Sequence, residues 1–420
     1  MTASKTNAFY AQSGGVTSVI NASACGVIET ARRHPGRIGT VYAGRNGILG
    51  ALTEDLIDTA DEPAEAIAAL RFTPAGAFGS CRYKLKSLEK NRREYERLIE
   101  VFRAHGIGYF FYNGGGDSAD TCFKISQLSE SMGYPLAAIH VPKTIDNDLP
   151  LTDCCPGFGS VAKYIAVSTL EASFDVRSMA ATSTKVFVLE VMGRHAGWIA
   201  AAGGLVADHG IPVVVLFPEI DFDRERFLAR VDALVKAHGY CTVVVSEGCH
   251  HPDGRFLAEQ GVRDAFGHAQ LGGAAPVVAQ MVKEALGHKF HWAVADYLQR
   301  AARHIASRTD VEQAYAVGRR AVELALDGEN AVMPTIERTA DLPYAWRIGT
   351  APLAQVANAE RKMPRDFITE DGYGITDAAK RYLRPLIEGE DYPAYEAGLP
   401  VYATLRNTPV PRRLADFTPG

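Results

Sequence analysis

Short apolar runs alternate with amphipathic segments along most of the chain. The apolar runs predict buried strands at residues 7–11, 40–44, 107–112, 135–139, 185–191, 212–217 and 242–245. The segments between and after them predict helices at residues 16–33, 90–105, 119–132, 157–173, 223–238, 274–286 and 307–326. Regular alternation of strand and helix favours an α/β fold, in which helices cover both faces of mostly parallel sheets.

The last fifth of the chain departs from this pattern. From about Thr339 onward, prolines and charged residues become more frequent. We interpret this region as a peripheral segment with one short helix at 376–383, which ends ahead of Pro385 because the residue before a proline is disfavoured in a helix.

Composition and charge exclude several classes of protein. The 420 residues carry a net charge of −5 and no arginine-rich tract, which argues against a nucleic-acid partner. Seven cysteines lack CxxC or zinc-type spacing, which favours a reducing cytoplasm and no structural zinc. Glycines and a proline interrupt the longest apolar region, 196–218, so we expect no membrane span.

Residues 140–150 concentrate candidate chemistry directly after a predicted strand. Lys143, Thr144, Asp146 and Asp148 follow one another within six residues. If the segment stays extended, alternation places Thr144, Asp146 and Asp148 on one face, where a carboxylate beside a lysine suits proton abstraction next to an anion. The alternative is a polar turn with Asx hydrogen bonds, closed by Pro150.

Glycine turns follow two further predicted strands and precede helices. Gly14 and Gly15 form the first turn, and residues 113–118 (Asn-Gly-Gly-Gly-Asp-Ser) form the second. Free amides and the positive end of a helix meet at such a turn, an arrangement that suits phosphate. Alternatively, the first pair of glycines only permits a tight turn, and Asp117 or Ser118 only caps a helix.

Polar residues also follow later strands. Arg194 lies in a glycine turn, Glu247 ends another strand, and Tyr297 and Arg300 lie three residues apart on a helical turn. A salt bridge, a capping carboxylate and a solvated helix surface are the respective alternatives. Because these residues recur at strand ends, we expect their sites to converge at one edge of the sheets.

Taken together, these motifs resemble those of the phosphofructokinases, most closely the pyrophosphate-dependent 6-phosphofructokinases of bacteria. The motifs occur in that family's order over residues 7–330, and they are Ser13-Gly-Gly15, Asn113-Gly-Gly-Gly-Asp-Ser118, Pro142-Lys-Thr-Ile-Asp-Asn-Asp148, Met192-Gly-Arg194, Ser246-Glu-Gly248 and Tyr297-Leu-Gln-Arg300. The resemblance implies two Rossmann-like α/β/α domains with the active site in the cleft between them.

The resemblance also implies domain roles. Residues 1–157 with about 299–340 would form the domain for the phosphoryl donor, diphosphate. Residues 158–298 would bind the sugar phosphate, and residues 341–420 would be peripheral.

The implied reaction is reversible phosphoryl transfer from diphosphate to the 1-hydroxyl of fructose 6-phosphate, in glycolysis and gluconeogenesis. Asp146 would be the catalytic base, assisted by Lys143 and Asp117. The residues implied to bind diphosphate are Gly14, Gly15, Lys143 and Ser118. Those implied to bind the sugar phosphate are Thr144, Asp146, Lys185, Met192, Gly193, Arg194, Glu247, Tyr297 and Arg300.

Two positions bear on the choice of donor. ATP-using members of the family usually carry glycine where this chain has Asp117 and Lys143. A carboxylate at Asp117 would repel the α-phosphate of a nucleotide, and Lys143 adds positive charge near the transferring group. Both changes favour diphosphate over ATP.

The resemblance implies Mg²⁺ as a cofactor and a homodimer or homotetramer. Gly116 stands where the family usually has a magnesium-linked acid, so Asp117 is the candidate ligand; alternatively, diphosphate carries the ion, with Asp146 or Asp148 assisting through water. Lys185 stands where the family often has a cation that reaches the neighbouring subunit's site.

Three other functions remain as alternatives. One is an ATP-dependent 6-phosphofructokinase, and another is a non-catalytic regulatory subunit that binds a sugar phosphate. A nicotinamide-dependent dehydrogenase ranks low, because the chain has no GxGxxG motif with a downstream ribose-binding acid.

Overall fold

The computed structural model describes residues 5–83, 85–86, 88–263, 269–271 and 273–420. The strands are β1 Thr6–Ser13, β2 Ile38–Gly44, β3 Leu56–Asp58, β4 Ser80–Cys81, β5 Ile107–Gly114, β6 Ala137–Pro142, β7 Val186–Val191, β8 Val213–Leu216, β9 Cys241–Ser246, β10 Glu259–Arg263, β11 Ala269–Leu271, β12 Phe290–Val294, β13 Val332–Asp341, β14 Tyr344–Pro352, β15 Tyr395–Glu396 and β16 Leu399–Pro400.

The α-helices lie between these strands and in the last part of the chain. They are α1 Ile20–Arg32, α2 Ile48–Leu52, α3 Ala64–Ala69, α4 Leu88–Ala104, α5 Gly116–Ser131, α6 Phe158–Met179, α7 Trp198–Gly203, α8 Arg224–His238, α9 Ala274–Leu286, α10 Asp296–Ala301, α11 Arg308–Leu326, α12 Leu353–Val356 and α13 Asp377–Leu383. Within the described ranges, no helix combines the length and the apolar character needed to cross a bilayer.

The chain divides into two compact units. Unit 1 comprises Met1–Gly157, Arg303–Glu360 and Gly389–Gly420, and unit 2 comprises Phe158–Ala302 and Arg361–Glu388. The structure therefore distributes residues 341–420 between both units. The assignment of donor and sugar-phosphate roles to separate domains stays a prediction.

Unit 1 is built on a mixed sheet with the order β14-β13-β6-β5-β1-β2-β3, and β4 pairs with β1. The central strands β6, β5, β1 and β2 are parallel, whereas β14 and β3 run antiparallel to their neighbours. Strands covered on both faces need apolar residues at successive positions, which explains continuous runs such as that of β5. Phe9, Phe102, Phe110 and Tyr112 pack ring against ring in its core.

Unit 2 contains a smaller parallel sheet with the order β12-β7-β9-β8. Its valine-rich strands pack against buried apolar positions of α8 and α9. Because all its strands are parallel, their carboxyl ends lie along one edge. The predicted α/β class with mostly parallel sheets is confirmed.

Two local predictions are wrong. The first helix begins at Ile20 rather than at residue 16. The Thr17 hydroxyl accepts a hydrogen bond from the Val19 amide at 3.3 Å, and such local bonds compete with helix formation.

The second error concerns the region after Thr339, which we expected to be a peripheral segment with one short helix. Instead, β13 and β14 form an antiparallel hairpin in the sheet of unit 1. The charged residues in these two strands interrupt the apolar runs by which the other strands were predicted. Glu337 and Arg347 are cross-strand partners in an ion pair of 2.7 Å on this partly exposed hairpin, and edge strands commonly carry such charges.

Candidate active site

The first glycine turn follows β1 in unit 1. Gly14 has φ +73°, a left-handed conformation that glycine adopts without a steric penalty. Its amide donates to the carbonyl of Cys81 at 3.0 Å, and the Ser80 hydroxyl donates to its carbonyl at 2.8 Å. The short strand β4 therefore fixes the conformation of Gly14, while Gly15 follows it at the partly exposed surface.

The second glycine turn joins β5 to α5. The N-cap residue of α5 is Gly115, without a side-chain cap, so the structure excludes the alternative in which Asp117 or Ser118 only caps the helix. Both residues instead lie in the first helical turn, with Asp117 exposed and Ser118 buried. The Ser118 hydroxyl donates to the Ser13 hydroxyl at 2.8 Å and so links the two glycine turns. A Cβ on Gly114 would lie 2.1 Å from the Ser118 oxygen, so this contact requires glycine.

Lys143 ties both turns together from the end of β6. Its side chain is 3% exposed, and its ammonium donates to the carbonyls of Ser13 at 2.8 Å and Gly15 at 2.6 Å. Its backbone amide donates to the carbonyl of Gly114 at 3.0 Å. A buried cation thus lies directly against the first glycine turn, where its charge favours an anion.

The residues after Lys143 do not form an extended strand, so the expected alternation of Thr144, Asp146 and Asp148 is wrong. Asn147 has φ +56°, and the Asp146 amide donates to the Thr144 hydroxyl at 3.1 Å. The Asn147 side chain accepts from the amide of Cys155 at 2.9 Å. This is the polar turn weighed as the alternative, and it leaves Asp146 partly exposed to solvent.

Asp148 has a strongly perturbed environment. Burial and then the charge of Asp146 raise the pKa of Asp148 to about 7. The two carboxyl groups therefore interact electrostatically. The partly exposed carboxylate of Asp146 is suited to accept a proton from a bound hydroxyl group.

In unit 2, Met192, Gly193, Arg194 and Glu247 follow the adjacent strands β7 and β9. The Gly193 amide donates to the Glu247 carboxylate at 3.3 Å, and the Glu247 amide donates to the Val191 carbonyl at 2.9 Å. Burial raises the pKa of Glu247, against the opposing effects of the Gly193 amide and the Arg194 charge. The structure thus brings together the two motifs that the sequence placed at strand ends.

Tyr297 and Arg300 lie on α10, which follows β12, the neighbour of β7. The Arg300 guanidinium stacks over the Tyr297 ring at 4.1 Å from its centroid, and this ring is 63% exposed. Gln299, between them, accepts from the Met192 amide at 3.3 Å and joins α10 to the end of β7. An exposed aromatic ring and an adjacent guanidinium offer an anion a surface at this sheet edge.

Lys185 lies apart from this group within unit 2. It immediately precedes β7, whose six residues separate it from Met192 by roughly 20 Å. Its ammonium donates to the carbonyl of Ala180 at 2.7 Å.

Two further largely buried carboxylates lie on or near the strands of unit 2, and the sequence did not single them out. Glu219 follows β8, and its carboxylate accepts from the Gly197 amide at 2.8 Å while its second oxygen is buried. Burial raises the pKa of Glu219. Glu190 in β7 accepts from the Ala275 amide at 2.9 Å at the start of α9. An acid three residues after the end of β8 was the available signal for Glu219, whereas Glu190 lies inside the apolar strand β7.

The fold and these two groups of residues define a class of protein. The phosphofructokinase family model matches residues 7–325, and the chain belongs to this family. Among curated relatives, it is 75% identical over 411 residues to the pyrophosphate–fructose 6-phosphate 1-phosphotransferase of Methylococcus capsulatus, covering 97% of this chain and 98% of the relative. It is 71% identical over 413 residues to the protein of that name from Halomonas elongata, covering 98% and 99%.

Solved structures agree with this assignment. The crystal structure of pyrophosphate-dependent phosphofructokinase from Nitrosospira multiformis superposes with a TM-score of 0.92 at 69% identity, covering 99% of this chain and 100% of that chain. A phosphofructokinase of Saccharomyces cerevisiae, at 20% identity, shares the fold with a TM-score of 0.64 over 84% of this chain and 45% of its own.

Proposed function

We propose that this protein transfers a phosphoryl group from diphosphate to the 1-hydroxyl of fructose 6-phosphate, giving fructose 1,6-bisphosphate and phosphate in glycolysis and gluconeogenesis. The observation that best supports this proposal is the buried ammonium of Lys143, which lies against the Gly14 turn. The names of relatives at 59–75% identity support the same reaction. Because phosphoanhydride and phosphate ester differ modestly in energy, the reaction runs in both directions.

Asp146 acts as the base in this proposal. It takes the proton of the 1-hydroxyl as that oxygen bonds to phosphorus, while the bond from phosphorus to the bridging oxygen breaks and phosphate leaves. Charge shifts toward the leaving oxygens in this transition state. Lys143 stabilises that charge from a fixed position, since its ammonium is already held by two carbonyl groups.

The remaining residues hold the two substrates. Gly14, Gly15 and Ser118 belong to the turns that receive diphosphate, and exposed Asp117 disfavours the additional phosphate of a nucleotide. The sugar phosphate is held by Thr144, Met192, Gly193, Arg194, Glu247, Tyr297 and Arg300. Glu247 accepts from sugar hydroxyls, and Arg300 meets the 6-phosphate.

Magnesium fits this donor set. Mg²⁺ prefers few protein carboxylates together with water and substrate phosphates, and the described residues contain no cluster of three His, Cys, Asp or Glu arranged as a metal cage. Asp117 is exposed beside the glycine turns and is the proposed ligand, with Asp146 or Asp148 assisting through water. When bound, the ion supplies charge neutralisation on the diphosphate oxygens.

We further propose that the protein acts as a homodimer or homotetramer in the cytoplasm. Lys185 supports this, since it lies at the opposite end of β7 from Met192 and Arg194. Light scattering on the purified chain tests the assembly. Comparison of the KM for fructose 6-phosphate between the unmodified protein and Lys185→Ala tests the role of the lysine.

A coupled assay with each donor in turn tests the reaction. The protein with diphosphate and fructose 6-phosphate should form fructose 1,6-bisphosphate, whereas ATP should support little turnover. Turnover with ATP alone would identify the ATP-dependent enzyme, and absence of turnover with either donor would favour the regulatory subunit.

A further inference from the structure

Residues 401–420 form an extended segment, which we call the strap, along unit 1. Apart from an isolated bridge, they contain no helix or strand within this described range. The bridge joins Pro409 to Ile57 of β3, and the Val410 amide donates to the Leu56 carbonyl at 2.8 Å. Near its middle, the strap therefore extends an edge of the sheet of unit 1.

Three buried glutamates hold the strap by its backbone. Each is 5% exposed or less and accepts hydrogen bonds from strap amides. The pairs are Glu62 with Arg406 at 3.0 Å and Asn407 at 2.7 Å, Glu54 with Arg413 at 2.6 Å and Leu414 at 3.0 Å, and Glu94 with Gly420 at 2.9 Å. Hydrogen bonds to a carboxylate are stronger than neutral ones, so these contacts offset the loss of chain entropy in an irregular segment.

Apolar side chains of the strap add to this attachment. Val410, Leu414 and Phe417 pack against the core of unit 1. The guanidinium of Arg97 lies 5.4 Å from the centroid of the Phe417 ring and donates to the Ala415 carbonyl at 2.9 Å. The strap is thus fixed along its length up to Gly420.

The last of these attachments reaches the support of the first glycine turn. The Tyr83 hydroxyl hydrogen-bonds Glu94 and lies 3.0 Å from the Gly420 carbonyl. Tyr83 follows Cys81 by two residues, and the Cys81 carbonyl accepts the Gly14 amide. A short path of direct contacts therefore connects the strap to Gly14.

We propose that Tyr83 and Glu94 are positioning residues for diphosphate, which fix β4 and the Gly14 turn by clamping the end of the strap. This inference rests on the proposed function. The hydrogen bonds from β4 to Gly14 fix the backbone of the first glycine turn, so loss of the contacts that hold β4 weakens binding of the donor. Because β4 pairs with β1 at Gln12 and Ser13, directly before the Gly14 turn, the effect falls on the donor. Affinity for fructose 6-phosphate should stay unchanged.

Tyr83→Phe tests the clamp with the loss of one oxygen atom. The KM for diphosphate, and its Kd by calorimetry, should rise about fivefold, the effect of one hydrogen bond. The KM for fructose 6-phosphate should stay within a factor of about two. The matched control is Tyr315→Phe, because the Tyr315 hydroxyl also donates to a glutamate, Glu29, at 2.6 Å but lies away from the glycine turns.

Glu94→Gln and a chain shortened by residues 416–420 provide a second comparison. Both should show the same selective rise, with thermal unfolding recorded for each. Equal changes in the two KM values, or a lower unfolding temperature without a change in diphosphate affinity, would overturn the inference and leave Tyr83 and Glu94 merely structural. Failure of the proposed function is distinguishable, since the unmodified protein would then show no turnover with diphosphate.

Discussion

The ammonium of Lys143 donates a hydrogen bond of 2.8 Å to the carbonyl of Ser13, across a sequence separation of 130 residues. With its second bond, to the Gly15 carbonyl, it brackets Gly14. A lysine at this point both holds the turn and contributes charge to whatever anion the turn receives.

Lys143→Met should separate the charge of this lysine from its length. We expect kcat with diphosphate to fall about 100-fold, because one fixed cation near the transferring group is lost. Lys124→Met, which removes a cation paired with Asp120 on α5, is the control and should retain nearly full activity. Steady-state rates with saturating substrates measure both, and an unchanged kcat in Lys143→Met would exclude Lys143 from the chemistry.

Asp146→Asn should nearly abolish turnover and leave binding in place. Removal of a general base typically lowers the rate by about 10²–10⁴-fold. Calorimetry should still detect fructose 6-phosphate, because asparagine preserves the size of the side chain. Asp153→Asn serves as the control, since Asp153 pairs with Arg338 at 3.1 Å in the same unit. Loss of sugar-phosphate binding in Asp146→Asn would show that Asp146 has a binding role instead.

His140 should make the stability of the protein depend on pH. Its ring is fully buried, and burial and then the charge of Lys143 lower the pKa of His140 to about 3. The unfolded chain takes up a proton near pH 6.5 while the folded protein does not, so stability is lost as the pH falls below 6.5. Between pH 7 and pH 5 the loss is about 2 kcal/mol.

His140→Leu should remove this contribution. Urea unfolding at pH 7 and pH 5 measures the difference, with His34→Leu as a control at an exposed position. If His140→Leu retains the whole difference between the two pH values, other groups are responsible for it.

Gly248→Ala should selectively weaken binding by the residues proposed to hold the sugar phosphate. A Cβ there would lie 2.0 Å from the Arg194 carbonyl oxygen, so the turn that carries Arg194 must move. We expect the KM for fructose 6-phosphate to rise about tenfold or more, as small displacements of positioning groups are costly. The KM for diphosphate should be unchanged. Gly36→Ala, where an added Cβ meets nothing within 4 Å, is the control; equal kinetics in both variants would contradict the prediction.

Local pattern located the strands, the glycine turns and the polar residues that follow them. Burial on both faces requires continuous apolar runs, and a chain that leaves a parallel sheet must turn at the strand end. Arg194, Glu247 and Lys143 could therefore be placed at strand ends from the sequence, and the alternation of elements was sufficient to predict the α/β class.

Tertiary structure alone decided which of these residues meet. The contact of Lys143 with Ser13 depends on the order and register of β1, β5 and β6, and the attachment of the strap by Glu54, Glu62 and Glu94 joins segments more than 300 residues apart. Periodicity reports only the neighbours of a residue along the chain, whereas these contacts arise when distant strands pair and buried carboxylates find their donors.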